Sequence, residues 1–167
     1  MLIKRKLDQA EEELGAPVDE MRYVAKHSLS ALRAWGSVRS WAQYHKAMPA
    51  EAFYVAKIAA YRQEDCGTCL QIAVNLAKKA DVKTDLIRAA MDGRVSTLPA
   101  ELRMVYRFAE QQANGQDNPE LREQIRSTYG DEALIDLAFA IVGSRAFPTF
   151  KRVLGYAKSC SQVTIEF

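Results

Sequence analysis

The chain has 167 residues, of which 49% are hydrophobic, and its 23 basic and 21 acidic residues give a net charge of +2 at pH 7. The hydrophobic share excludes general disorder, and so small a charge excess does not indicate a nucleic-acid partner. The longest uncharged run, Cys66–Ala77, has 12 residues, whereas a membrane span needs roughly 20 apolar residues. The charged N-terminal stretch has no apolar signal-peptide core, so we expect a cytoplasmic protein with no nucleic-acid and no membrane partner.

The first half of the chain carries helical signals and no convincing strand. Five helix starts are indicated by a proline, a capping residue or the residue after a loop: Pro17, Ser28 or Ser30, Pro49, Cys66 and Thr84. The helix that begins at Cys66 is expected to run to about Ala80, and the helix that begins at Thr84 is expected to end at Gly93. This half therefore predicts a succession of helices joined by short loops.

The second half continues the helical period. Apolar residues recur from Leu98 at helical spacing, Asn118 precedes a proline as an N-cap, and Gly130 marks a stop. The stretch Leu134–Val142 is almost wholly apolar, which predicts a buried central helix, and Pro148 should interrupt it before a last helix that ends near Lys158. We predict a single all-α domain over residues 1–167 with eight or nine helices.

The residues with the clearest chemistry are two cysteines three positions apart. Cys66 and Cys69 lie at the start of a predicted helix, so both sulfurs share one face and can form a disulfide. The helix dipole favours a thiolate at Cys66, whereas Cys69 aligns with the apolar stripe of the helix. We therefore expect Cys66 to be an exposed attacking thiolate and Cys69 to be the shielded thiol that resolves the mixed disulfide.

Two other interpretations of the cysteine pair stay open. Zinc needs four ligands, and the remaining candidates are Cys160, His27 and His45, with no second CxxC in the chain. The pair could also be two ordinary cysteines, one of them in the core. We favour a redox pair, and we expect no metal and no other cofactor.

The stretch MPAEAFYVAKIAAYRQEDCGTCLQIAVNLAKKADV places a long helix and a charged loop before the CxxC. In this order it resembles the carboxymuconolactone decarboxylase and alkylhydroperoxidase D-like family, with residues 48–160 as the family core and residues 1–47 as an N-terminal helical extension. The resemblance implies a multi-helix alkylhydroperoxidase D-like fold and a homo-oligomer (dimer, trimer or hexamer). In the redox members of the family, the CxxC reduces a peroxide or disulfide substrate.

The proton-handling residues are different from those of the family's redox members. Those members carry a histidine between the cysteines or four residues after the second, and a glutamate twelve residues before the first; here these positions hold Thr68, Ala73 and Tyr54. Glu51, one turn before Tyr54, and Glu64, beside Cys66, join Tyr54 as candidates for proton handling. An acid next to Cys66 would raise the pKa of its thiol, and a solvated cap is the other interpretation of Glu64.

The function we expect is a thiol-dependent oxidoreductase in which Cys66 and Cys69 cycle between dithiol and disulfide. The alternative is a redox-silent family member that acts as a decarboxylase-type lyase, a small-molecule binder or a structural oligomer. An aromatic-rich region that includes Trp35 and Tyr54 is expected in the core or at a subunit interface, and the wall of a substrate pocket is the alternative. The acid-free segment between Asp136 and Glu166 carries several basic residues and is expected to form a solvated basic face: Arg145, Lys151, Arg152 and Lys158.

Overall fold

The computed structural model describes residues 2–158 and 165–167, and in this part of the chain all regular structure is helical. The nine α-helices are α1 (Leu2–Leu14), α2 (Asp19–His27), α3 (Leu29–Ala42), α4 (Ala50–Gln63), α5 (Gly67–Lys79), α6 (Thr84–Asp92), α7 (Ala100–Ala113), α8 (Pro119–Tyr129) and α9 (Asp131–Leu154). A short 3₁₀ turn, Val95–Thr97, joins α6 to α7. The all-α prediction is confirmed for the described residues, and the number of helices agrees with the prediction.

Helix α4 is the centre of the bundle. Every residue from Ala52 to Tyr61 is buried, and α4 packs against α5, α6, α7 and α9. Its sequence is apolar on all sides and rich in alanine, which lets four neighbouring helices approach its backbone closely. The main core lies among these helices, whereas α1 and α2 build a smaller cluster around Leu7, Leu14 and Val18 against α5.

Several helix ends follow the capping signals of the sequence. Asn118 accepts a hydrogen bond from the backbone N–H of Leu121 at 3.0 Å and so caps α8, and Ser28 accepts one from Ala31 at 3.2 Å and caps α3. Gly93 ends α6 in the left-handed conformation, with a φ of 69°. These caps depend on residues adjacent in sequence, so they were predictable.

Pro148 does not interrupt the last helix, contrary to the prediction. Helix α9 runs unbroken for 24 residues through Pro148 and ends at Leu154, before Lys158, with Gly155 as its left-handed cap. A proline removes one backbone hydrogen bond, here the one to the carbonyl of Ser144. Burial of both Ser144 and Pro148 against the bundle maintains the helix across that gap.

Helix α3 crosses α9 at a point of very close contact. A Cβ atom on Gly143 would lie 2.5 Å from the Cβ of Ala42, so glycine is needed for the two helices to approach this closely. The loop that follows α3 is held to α9 by Asp136, whose Oδ2 accepts the backbone N–H groups of Lys46, Ala47 and Met48 at 2.7, 2.7 and 2.9 Å. Burial alone would raise the pKa of Asp136, but these three hydrogen bonds outweigh it and hold the pKa below its ordinary value.

Among the described helices, α9 is the one with the length and composition of a membrane span, and 44% of its most apolar window is buried inside the bundle. The core helix of a soluble protein satisfies the same criteria, so a single helix of this kind is weak evidence for a membrane. The sequence analysis did not single out α9 because Asp136 and Arg145 interrupt its uncharged run. The exposed part of α9 carries apolar residues, among them Ile135, Val142 and Val153.

Candidate functional site

The two cysteines of the CxxC are joined as a disulfide at the start of α5. Their Cα atoms are 5.3 Å apart, within the usual range for a disulfide, and Cys66 is the N-cap residue of the helix. Both side chains are buried, with exposed fractions of 0% for Cys66 and 2% for Cys69. The structure thus brings together the pair that the sequence singled out.

The expectation that Cys66 is exposed is wrong. The segment that follows α9 passes over the start of α5, where the backbone N–H of Gly67 donates to the carbonyl oxygen of Lys158 at 3.0 Å. This bond occupies one of the free N–H groups that would otherwise stabilise a thiolate at the helix N-terminus. Position along the helix therefore does not make Cys66 the accessible thiol of the pair.

Cys69 lines a cavity of about 50 Å³, and Cys66 is not among the residues that line it. A single water needs about 10–15 Å³ on this measure, so the cavity accommodates only a very small molecule. Residues from six helices form the wall. Its polar members are Glu20, Arg39, Gln43, Tyr61, Cys69 and Lys151, and its apolar members are Leu14, Met21, Trp35, Ile72 and Phe147.

A buried ion pair forms one side of this cavity. The ammonium Nζ of Lys151 on α9 lies 3.4 Å from the carboxylate Oε1 of Glu20 on α2, and the two side chains are only 4% and 8% exposed. Burial raises the pKa of Glu20 above its ordinary value, even though the charge of Lys151 acts in the opposite direction. Because burial of charged groups is costly, a buried ion pair in a cavity wall is a candidate functional site.

This pair was not predicted from the sequence. Glu20 was not singled out, and the expectation that Lys151 lies on a solvated basic face is wrong because Lys151 is buried. The spacing along α9 did indicate that Lys151 is buried, since Ser144, Pro148 and Lys151 follow one another at spacings of four and three residues on its buried face. No local pattern pairs Lys151 with a residue 131 positions earlier in the chain.

Tyr61 places a phenol in the same cavity. Its side chain is buried on α4, burial raises the pKa of the phenol, and a hydrogen bond with Ser144 opposes that effect. Ser144 in turn donates its hydroxyl proton to the carbonyl oxygen of Ala140 at 2.8 Å. The phenol is therefore held protonated, as a hydrogen-bonding group and not as a base.

Two candidates for proton handling lie away from this cavity. Glu51 is in the first turn of α4, where its side chain is 41% exposed and 4.0 Å from Lys83; that end of the helix is about 18 Å from the end that leads to Cys66. Tyr54 packs against Phe53 and His45, with ring centroids 5.3 and 6.1 Å away. Neither residue lines the cavity that contains Cys69.

The third candidate, Glu64, is held by two arginines of α9. Its carboxylate pairs with Arg145 at 3.2 Å and with Arg152, and Arg152 also donates to the backbone oxygen of Glu64 at 2.7 Å. The side chain of Glu64 is 9% exposed, so the solvated cap does not describe it. The two arginines are themselves exposed, as expected of a solvated basic face. Glu64 anchors the loop before Cys66 to α9.

A second buried cation lies on α4, one turn before Tyr61. Lys57 is fully buried, and its Nζ donates to the carbonyl oxygen of Ala42 at 2.8 Å and lies 5.1 Å from the centroid of the Phe53 ring. Burial lowers the pKa of Lys57 to about 7. The sequence analysis missed Lys57 because it occurs inside an otherwise apolar helix.

No group of three or more His, Cys, Asp or Glu residues within the described ranges could hold a metal ion. Cys160, one ligand of the zinc alternative, lies outside the described residues. No family model, no curated protein and no solved structure matches this chain. What it can do chemically is therefore inferred from its own residues: a disulfide-forming pair, a small cavity on one side of it, and a buried ion pair in the cavity wall.

Proposed function

We propose that this chain is a thiol-dependent oxidoreductase of the alkylhydroperoxidase D-like kind, in which Cys66 and Cys69 alternate between dithiol and disulfide. The observation that carries the proposal is that Cys69 joins Cys66 in a disulfide and also lines a cavity with a carboxylate and a phenol. A purely structural disulfide needs no such cavity. An arrangement of this kind supplies what a thiol relay requires: a reactive sulfur, a resolving sulfur and polar groups that move protons.

Access to the cavity assigns the two sulfurs their roles in this proposal. Cys69 attacks and Cys66 resolves, which is the reverse of the order that the helix dipole predicts. The thiolate of Cys69 attacks one oxygen of a hydroperoxide, so an S–O bond forms, the O–O bond breaks, and the leaving oxygen departs with a proton as water or an alcohol. Cys66 then attacks the sulfur of the resulting sulfenic acid, so the disulfide forms and water leaves.

The size of the cavity limits the substrate. About 50 Å³ suits hydrogen peroxide or the smallest alkyl hydroperoxides, and it is too small for the disulfide of a protein. Both electrons that reduce the peroxide come from the two thiols. An external dithiol reductant supplies the two electrons that restore them by thiol–disulfide exchange.

We further propose that the protein forms a closed homo-oligomer through α9. Ile135, Val142 and Val153 are exposed, and they lie at spacings of 7 and 11 residues, on one face of a long helix. A second copy of the same helix is the simplest occupant of such a stripe, because two identical apolar faces related by a twofold axis cover each other.

The function is tested by counting thiols in the fully reduced protein before and after one equivalent of hydrogen peroxide, with Cys160→Ser as the background. We expect loss of both thiols, no oxidation in Cys69→Ser, and a sulfenic acid at Cys69 that dimedone traps in Cys66→Ser. Retention of both thiols in the parent protein would contradict the proposal and favour a redox-silent protein. Dimedone labelling of Cys66 in Cys69→Ser would contradict the assignment of roles.

A further inference from the structure

Among the groups in the cavity wall are a buried ammonium group and two acids that belong to three different helices. Lys151 of α9, Glu20 of α2 and Cys69 of α5 all line the same space of about 50 Å³. In the disulfide state, the ion pair between Lys151 and Glu20 is complete and its side chains are almost fully buried. Reduction of the disulfide adds a second acid, the thiol of Cys69, to the same cavity.

We propose that these three residues form a shared-anion site, in which Lys151 holds one negative charge that passes between the Glu20 carboxylate and the Cys69 sulfur. The proposal rests on the proposed function, because it concerns the reduced form of the same site. When Cys69 gives its proton to Glu20, the number of charges in the cavity does not change. The transfer therefore avoids the large cost of creating a second buried charge.

The other polar groups of the wall cannot take this proton. Arg39 carries its own positive charge and pairs with Glu13 at 3.3 Å, and Gln43 is neutral and not basic. The phenol of Tyr61 is already protonated, since burial raises its pKa. Glu20 is the one carboxylate among the residues that line the cavity, so it is the one group there that can act as a base.

The environment of Glu20 suits a proton that moves in both directions. Burial raises the pKa of Glu20 and so brings it nearer to that of a thiol, which makes transfer in either direction less unfavourable. The charged and titratable groups that face the site are Arg39 from α3, Tyr61 from α4, Cys69 from α5 and Lys151 from α9, with Asp19 next to Glu20 on α2. The residue that α1 contributes to the wall, Leu14, carries no charge.

The same proton completes the chemistry with a hydroperoxide. Cys69 transfers its proton to Glu20 and attacks as the thiolate, and the S–O bond forms as the O–O bond breaks. Glu20 then returns the proton to the leaving oxygen, which departs as water or an alcohol. Glu20 thereby regains its negative charge beside Lys151, and the group of Lys151, Glu20 and Cys69 carries one positive and one negative charge at each stage.

The site makes an unusual prediction about two substitutions of opposite charge. In Glu20→Gln, Cys69 becomes the only acid that can balance Lys151, so we expect its thiol to ionise at a pH lower by about one unit or more. In Lys151→Gln, the thiolate loses its cation and faces the Glu20 carboxylate, so we expect ionisation at a pH higher by a similar amount. A merely structural role of the pair would not move the thiol in opposite directions.

The measurement is a pH titration of the thiolate ultraviolet absorbance in the reduced protein, with Cys66→Ser and Cys160→Ser as the background, so that Cys69 is the only thiol. Glu120→Gln is the matched control, because Glu120 is also the second residue of its helix but is exposed on α8. Circular dichroism checks the fold of each variant. The double variant Glu20→Gln with Lys151→Gln leaves no unpaired charge, and it should ionise at a higher pH than Glu20→Gln alone.

Shifts in the same direction for the two single variants, or no shift in either, would overturn the shared-anion site. If one of the two single variants does not fold, the parent protein, the other single variant and the double variant are compared instead. Ionisation of Cys69 at the same pH in all three would also overturn the shared-anion site. The titration contains no peroxide, so it is independent of turnover. A parent protein that ionises as expected but does not lose thiols to peroxide would contradict the proposed function and leave the shared-anion site in place.

Discussion

The buried ammonium group of Lys57 makes the stability of the fold depend on pH in a defined window. Lys57 is fully buried, and a single hydrogen bond, to the carbonyl oxygen of Ala42, compensates for its lost hydration. Burial lowers its pKa from 10.5 to about 7, so between these pH values the unfolded chain binds a proton that the folded chain does not. The free energy of unfolding therefore rises with pH across this window.

The size of this effect follows from the two pKa values. Over the whole window, the difference from 10.5 to about 7 corresponds to about 5 kcal/mol at 1.36 kcal/mol per pKa unit. Most experiments cover a narrower range, and between pH 6 and pH 9 the same linkage gives about 3 kcal/mol. Replacement of Lys57 by methionine, which has similar length and no charge, should remove this gain and stabilise the protein at pH 6.

The assay is urea unfolding of the oxidised protein at pH 6 and pH 9, for the parent chain, Lys57→Met and the control Lys78→Met. Lys78 is exposed on α5, so its substitution should leave the pH dependence of the parent unchanged. Other titrating groups contribute equally to all three proteins and cancel when their pH dependences are compared. If Lys57→Met gains as much stability between pH 6 and pH 9 as the parent does, burial does not lower the pKa of Lys57 and the reasoning is refuted.

Three further predictions concern packing and assembly. Gly143→Ala should destabilise the fold by about 1–3 kcal/mol, since the new Cβ would collide with Ala42. The control Gly36→Ala, on the open side of α3, should stabilise the fold by about 0.5–1 kcal/mol. Equal effects of the two substitutions in thermal unfolding would contradict the close contact. Asp136→Asn should cost about 2–3 kcal/mol in urea unfolding, because three backbone N–H groups lose a charged acceptor, and a cost under 0.5 kcal/mol would contradict that role. Val142→Glu should lower the mass measured by light scattering toward that of one 18.7 kDa chain, and a parent protein that is already monomeric would contradict the oligomer.

The fold was predictable from the sequence wherever a short stretch decides the structure. The cap at Asn118 and the stop at Gly93 each depend on residues within one turn. The prediction of Leu134–Val142 as the buried central helix is wrong, since Ile135 and Val142 are exposed and α4 takes the central position. Pro148 was misjudged because its local preference is to break a helix, and only packing on both sides of α9 overrides that preference. Local sequence signals do not show which residues are buried by packing between helices.

In the candidate site, too, local features were predictable from the sequence and contacts between distant segments were not. The disulfide-forming pair was visible because Cys66 and Cys69 are three positions apart, but their exposure was not, because a segment more than 80 residues later covers the helix start. Glu20 and Lys151 could not be paired from sequence, since each has an ordinary surface interpretation where it stands. A buried charge reveals itself only when the helices that enclose it are known.

The position of Glu20 also bears on the interpretation of residues 1–47 as an N-terminal extension. The resemblance in sequence is carried by the stretch around the CxxC, and by that criterion the N-terminal helices are an extension. Yet α1, α2, α3 and the residue that follows α3 supply about half of the wall around Cys69, including its carboxylate. A thiol that reacts in a closed space needs both a wall that excludes water and a group that takes its proton. Under the proposed function the N-terminal helices provide both, so that proposal assigns them to the site together with the helix that carries the cysteines.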